Sequence, residues 1–188
     1  MTMKPLLIAA SLAALAAAGQ AQAQVTITLN GSVDQICVLG APDQVAVNIG
    51  DMTDNTGKLK VELTGSDASS APVSVEIDDA FCNTPSILSV EADALALQNA
   101  PSYGTPAGFS RAVTFDASVD GWPSNIVYRP AVHTIPSTST AAEARASALE
   151  IKAFDLETLN GAGTAESPNL ILEAGDYSGA ISLTLGVN

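Results

Sequence analysis

Side chains that most often carry chemistry are scarce in this chain of 188 residues: one histidine, one tryptophan, two cysteines and seven lysines and arginines. A single imidazole, His133, excludes any multi-histidine metal centre and leaves one candidate histidine base. No serine lies in a G-x-S-x-G elbow, and no glycine-rich phosphate loop or dinucleotide fingerprint occurs. His133, between Val132 and Thr134, reads as a residue on a strand face. Seven basic residues stand against 20 acidic ones, a net charge of −13. Such a surface repels nucleic acid and anionic lipid, so neither is expected as a partner. Aromatics make up only 4% of the chain. Acidity with few aromatics can signify disorder, but 47% hydrophobic residues, set in alternating segments, argue for a folded domain.

Long apolar runs are absent except at the start. Met1–Ala23 has the form of a secretory signal: Lys4, an apolar stretch Leu6–Ala18, and Ala21-Gln22-Ala23 ahead of cleavage before Gln24. The apolar part is about a dozen residues, short of the roughly 20 that span a bilayer. No lipobox cysteine follows it. Export also removes Lys4, so the mature part, 24–188, is still more acidic and of a size that suits one domain. No later segment is expected to insert in a membrane. In an exported chain Cys37 and Cys82 are expected to pair, closing a loop of about 45 residues worth roughly 4 kcal/mol. A redox role would want a C-x-x-C spacing and an activating base, and neither is present.

Period-two alternation is what the chain does have. Ile181, Leu183, Leu185 and Val187 alternate with Ser182, Thr184 and Gly186 after the Ala174–Tyr177 turn, and Val25, Ile27, Leu29, Gly31 and Val33 alternate with Thr26, Thr28, Asn30 and Ser32. Each pattern sends one row of side chains to a core and the other to water. Further strands are predicted at Val45–Ile49, Leu59–Leu63, Val73–Ile77, Ile87–Val90, Ala112–Val119, Ile126–Tyr128, Ala131–Ile135 and Leu149–Ala153, with a short one at Leu170–Leu172. Segments rich in Gly, Asp, Asn and Ser punctuate them, as turns require. Ala92–Pro123 is less regular, with a surface loop over Asn99–Phe109, and Leu156–Pro168 reads as a hairpin loop. Ser137–Ser147 is predicted as a short helix around Ala141–Ala146 or a connecting loop. The sum is a single all-β sandwich without repeat or linker.

The terminal strands, the Cys37/Cys82 placement and the Ala174-Gly175-Asp176-Tyr177-Ser178-Gly179 turn before a final alternating strand resemble the chaperone–usher fimbrial subunits. The nearest branch is the archaic one that includes the spore coat protein U-like domains. The resemblance covers Val25–Cys37, Val73–Leu88 and Leu170–Val187. It implies an immunoglobulin-like (pilin-like) sandwich, open until completed by a donor strand. It assigns Val25, Ile27, Leu29, Gly31 and Val33 as that donor, with Gly31 allowing close approach at a crowded pocket. It places the acceptor groove, also the chaperone-binding strand, beside Ile181, Leu183, Leu185 and Val187. The implied partners are identical or related subunits, a periplasmic chaperone and an outer-membrane usher. The implied destination is the cell surface or an extracellular fimbria.

Two other classes stay open. The N-terminal strand can instead pair within its own sheet, giving a self-contained secreted module for carbohydrate or protein, with Tyr103, Trp122 and Tyr128 as an aromatic pocket. A hydrolase would need a carboxylate pair, and Asp51/Asp54, Asp78/Asp79, Asp116/Asp120 and Asp155/Glu157 arise readily by chance among 20 acidic residues. Asp51–Gly57 has the flavour of a calcium loop without its pattern. No enzyme activity, cofactor or metal is expected.

Overall fold

The computed structural model describes residues 28–40 and 45–188. The expected signal segment and the first expected donor positions, Val25 and Ile27, lie outside them. One compact unit runs from Asp34 to Asn188 and a separate one ends at Val33. In chain order the strands are β1 (Cys37–Leu39), β2 (Val73–Cys82), β3 (Ser86–Leu97), β4 (Phe109–Ser110), β5 (Ala112–Asp120), β6 (Ile126–Tyr128), β7 (Ser137–Ala141), β8 (Arg145–Thr158), β9 (Ile171–Leu172) and β10 (Tyr177–Val187). Two short 3-10 turns, Val61–Leu63 and Ala68–Ser70, interrupt them.

The main sheet is antiparallel and runs β1-β2-β8-β5-β3-β10. β3 meets β5 only at Leu95 and Ala96, then diverges, and β6 (on β5) and β7 (on β3) occupy the splay. The sheet therefore folds over on itself as an all-β sandwich. Leu88 and Val90 of β3 share the core with Val113 and Val119 of β5 and Leu149 and Leu156 of β8, all essentially inaccessible to solvent. β4 and β9 form a separate two-stranded parallel ladder.

Bulges decide which residues reach that core. In β2, Val73 and Ile77 are buried, then Ala80 and Cys82. The change of parity falls where the β2–β8 register slips between Ile77 and Ala80, so Asp78 and Asp79 both stay in water. β8 shifts similarly, from Leu149, Ile151 and Ala153 to Phe154, Leu156 and Thr158. There Asp155 adopts a φ of 51° opposite the irregularity between Thr114 and Asp116. An inserted residue shifts the alternation by one and sharpens the local twist, which helps a sheet curl.

Several expectations need correction. Leu59–Leu63 is not a strand. Asp54 accepts from the Thr56 and Lys58 amides, the hairpin closes at the Thr53–Leu59 bridge, and the 3-10 turn then buries Leu63 while leaving Val61 outside. Val45–Ile49 is not paired into any sheet. Ala131–Ile135 is a turn, because Arg129 carbonyl accepts from both Val132 and His133 amides and Ala131 takes a φ of 68°. His133 is thus an exposed turn residue, not a strand-face one. Ser137–Ser147 holds no helix: Ser137–Ala141 pairs residue for residue with Ser86–Val90, and that pairing overrides local propensity. β3 and β8 also run well past their predicted ends, to Leu97 and Thr158.

Cys37 and Cys82 form a disulfide across a register pair of β1 and β2. Beside it the Asn83 side chain accepts from the Ile36 amide and donates to Asp34 carbonyl. β1 is only three residues long, so this cluster supplies much of its anchorage. Cys37→Ala/Cys82→Ala should lower unfolding free energy by about 2–4 kcal/mol, the loop-closure scale, measured by urea titration. An unchanged midpoint would show that β1 does not depend on the bond.

Candidate functional site

The strand that ends the chain is an edge. β10 pairs with β3 from Tyr177↔Leu97 to Val187↔Ser86, and among the described residues nothing pairs with its other side. Ile181, Leu183 and Leu185 stand opposite Ala92, Val90 and Leu88 and pack on the core, only partly buried; Val187 is half exposed. The opposite end of the sheet, β1, curls round to approach β10 without joining it. β1 also covers only the Ala80–Cys82 part of β2, extended by the Gly40 amide on Asp79 carbonyl. The stretch of β2 from Val73 to Asp78 therefore has an open side as well.

Between these edges lies a groove of about 840 Å³. Val73, Val75 and Ile77 form one bank and Gly179–Leu183 the other, with core residues such as Phe115 and Leu156 at the floor. An unpaired row of backbone N–H and C=O groups beside exposed apolar surface is a template for another strand. Chemically, this arrangement has the geometry to accept an extended peptide.

The turn before β10 explains the Ala174–Gly179 sequence. Gly175 takes a φ of 150°, and a Cβ there would lie 2.5 Å from Leu97 Cδ1. Gly179 sits at the bulge between Ser178 and Ala180, where a Cβ would be 2.6 Å from Asp93 carbonyl oxygen. Tyr177 Oη donates to Glu173 carbonyl at 2.8 Å, four residues back, in the manner of a tyrosine corner. Burial and the neighbouring Glu173 charge push the phenol up to about 12. The Glu173 carboxylate lies 2.9 Å from Arg111 Nε, both largely buried, and Arg111 in turn donates to Tyr103 carbonyl at 2.8 Å. This corner fixes where β10 starts.

The other candidates fall apart in space. Leu29 and Val33 are exposed and outside any strand, and nothing lies within 4 Å of a Cβ built on Gly31. Tyr103 is exposed against Arg111, whereas Trp122 is buried under Arg145 and Tyr128 is buried beside His133. None of the three lines the groove. Asp51 and Asp54 spend their carboxylates on neighbouring Thr53 and Thr56, which holds both below the usual carboxylate range. Among the described residues no cluster has the make-up of a metal site.

One constellation escapes sequence reasoning. The Arg129 guanidinium, 11% exposed, bonds four carboxylates: Asp116 at 2.9 Å, Asp155 at 3.2 Å, Glu157 at 3.1 Å, and Glu166 through Nε. The Arg129 amide donates to His133 Nδ1. Burial alone would lower the guanidinium, but the Glu166 and Asp116 bonds outweigh it and raise it. Glu157 is raised, first by burial and then by Glu166. Only the pairs Asp155/Glu157 and Asp116/Asp120 were visible along the chain. The isolated arginine before a proline was the remaining signal.

With this geometry in view, the chain matches no protein-family model, no curated protein and no solved structure.

Two outcomes follow for the clasp. Arg129→Met should destabilise by about 1–3 kcal/mol, because it leaves four partly exposed, like-charged carboxylates without their shared cation, a loss that solvent screening moderates. Glu157→Gln should act oppositely. The folded state favours protonated Glu157, so its contribution is fully present below the ordinary carboxylate value of 4.5 and lost as pH rises through the raised one. The variant should therefore match wild type at low pH and melt higher at neutral pH, and a lower melting temperature at pH 7 would contradict this.

Proposed function

We propose that this chain is an exported, non-enzymatic structural subunit that assembles by strand complementation into a fimbria or similar surface polymer. The observation that carries the reading is the unpaired edge of β10 beside an apolar groove in an otherwise well-packed sandwich. An extended segment with alternating apolar residues would add its backbone to that edge and its side chains to the groove. Gln24–Val33 has that composition and contains no charged residue, which suits it to a second copy of so acidic a chain. Its resemblance to fimbrial subunits adds a periplasmic chaperone and an outer-membrane usher as proposed partners. Val25, Ile27, Leu29, Gly31 and Val33 are the proposed donor positions. Ile181, Leu183, Leu185 and Val187 mark the proposed acceptor strand.

The test is the mature chain lacking Gln24–Val33, with and without a synthetic peptide of that sequence. At a peptide concentration of about 100 times Kd, binding contributes about 2.7 kcal/mol. For a domain of this size that is a melting-temperature rise of roughly 5–10 °C. The undeleted chain should form oligomer ladders that the deletion abolishes. A monomer indifferent to both deletion and peptide would identify a closed sandwich and favour a ligand-binding module instead.

A further inference from the structure

Val45–Ile49 is anchored at both ends. Upstream, the Gly40 amide donates to Asp79 carbonyl at 2.8 Å; downstream, the Lys60 amide donates to Met52 carbonyl at 3.0 Å. Between these anchors the segment alternates Val45, Val47 and Ile49 with Ala46 and Asn48. That is a strand pattern, yet the residues join no ladder and make no backbone bond to another described residue. Ile49 packs on the core, whereas Val45 and Val47 are 52% and 47% exposed. The same segment lines the groove alongside Gly179–Leu183 of β10. An uncharged strand-like segment with unused backbone groups thus hangs over an edge with unused backbone groups.

We infer that Val45–Ile49 is a built-in strap, poised over the open edge of β10 in the free subunit, that can pair with it transiently and yields when another strand enters. The physical argument is proximity. A segment tethered at both ends is present at an effective concentration in the millimolar range, far above that of a separate chain. Pairing would satisfy both sets of backbone groups and move Val45 and Val47 out of water, while the short tethers limit how far the match can extend. A longer incoming strand, able to run the length of β10, then displaces the strap. The device protects an aggregation-prone edge without sealing it. It rests on the reading of the groove as a strand acceptor, whose regulation it describes.

The experiment uses the mature chain lacking Gln24–Val33, so that no neighbour's donor fills the edge, and compares it with its Val45→Asp/Val47→Asp variant. Both side chains are half exposed, so the fold should tolerate the change; Val61→Asp, at a site 84% exposed on a 3-10 turn, is the control. Two readouts are taken: hydrogen exchange of the β10 amides directed away from β3, and the association rate of the Gln24–Val33 peptide. The strap predicts about tenfold faster exchange at those amides in the double variant only, with peptide association faster by a similar factor. Unchanged exchange overturns the strap even if peptide binds. Faster exchange without any peptide binding supports the strap and overturns the acceptor reading. Unchanged exchange without peptide binding overturns both.

Discussion

A folded sheet must do something with its two edges, and here they are left almost in contact. β1 and β10 lie at opposite ends of the strand order, are brought near each other by the curl, and do not pair. Closing the seam would make a barrel without edges. Stopping short leaves a trough whose floor is the sandwich core and whose banks are the unpaired sides of β2 and β10. The rest of the structure is arranged to hold these banks in place. The disulfide and Asn83 pin the start of β1 to β2. The Tyr177–Glu173–Arg111 corner fixes the start of β10.

The curl has local causes. Extra residues in β2 near Asp78 and in β8 near Asp155 break the ladder at two places, and Gly179 accommodates another break in β10. The Asp155 irregularity coincides with the arginine clasp. The backbone kink carries the Asp155 carbonyl and carboxylate to Arg129, while Asp116 and Glu157 reach it from β5 and β8. A buried guanidinium with several acceptors is costly to strip of any partner. The clasp therefore locks β6, β8 and the Glu166 loop at the end of the sandwich where regular pairing fails.

These bulges also mark the limit of what the sequence makes legible. Alternation located β2, β5, β6 and β10 because period two survives between irregularities. It could not extend β2 to Cys82 or β8 to Thr158, since each bulge inverts which residues face inward. Leu59–Leu63 was misleading for the opposite reason: its apolar residues alternate, but the Asp54 turn ends the pairing and a 3-10 turn carries Leu63 inward. Ser137–Ala141 has weak local preference and becomes a strand through its neighbour β3. The core-facing residues of β10 were legible from their alternation, and the disulfide from the expectation of export. The Arg129 clasp was not, because its partners lie on separate elements and meet only after folding.

The scarcity of cations shapes the surface as well as the interior. The three arginines at 111, 129 and 145 all turn inward: onto Glu173 and Tyr103, into the four-carboxylate clasp, and onto Gly121 carbonyl and the Trp122 ring. Their charge is spent on internal staples and little remains to offset the acidic exterior. Two copies approaching face to face would meet like charge across most of their surfaces. The seam differs, because its floor is hydrocarbon and its banks offer backbone dipoles. Electrostatics thus disfavours general face-to-face association, and among the described residues the seam is a place where apolar surface and unpaired backbone groups lie side by side.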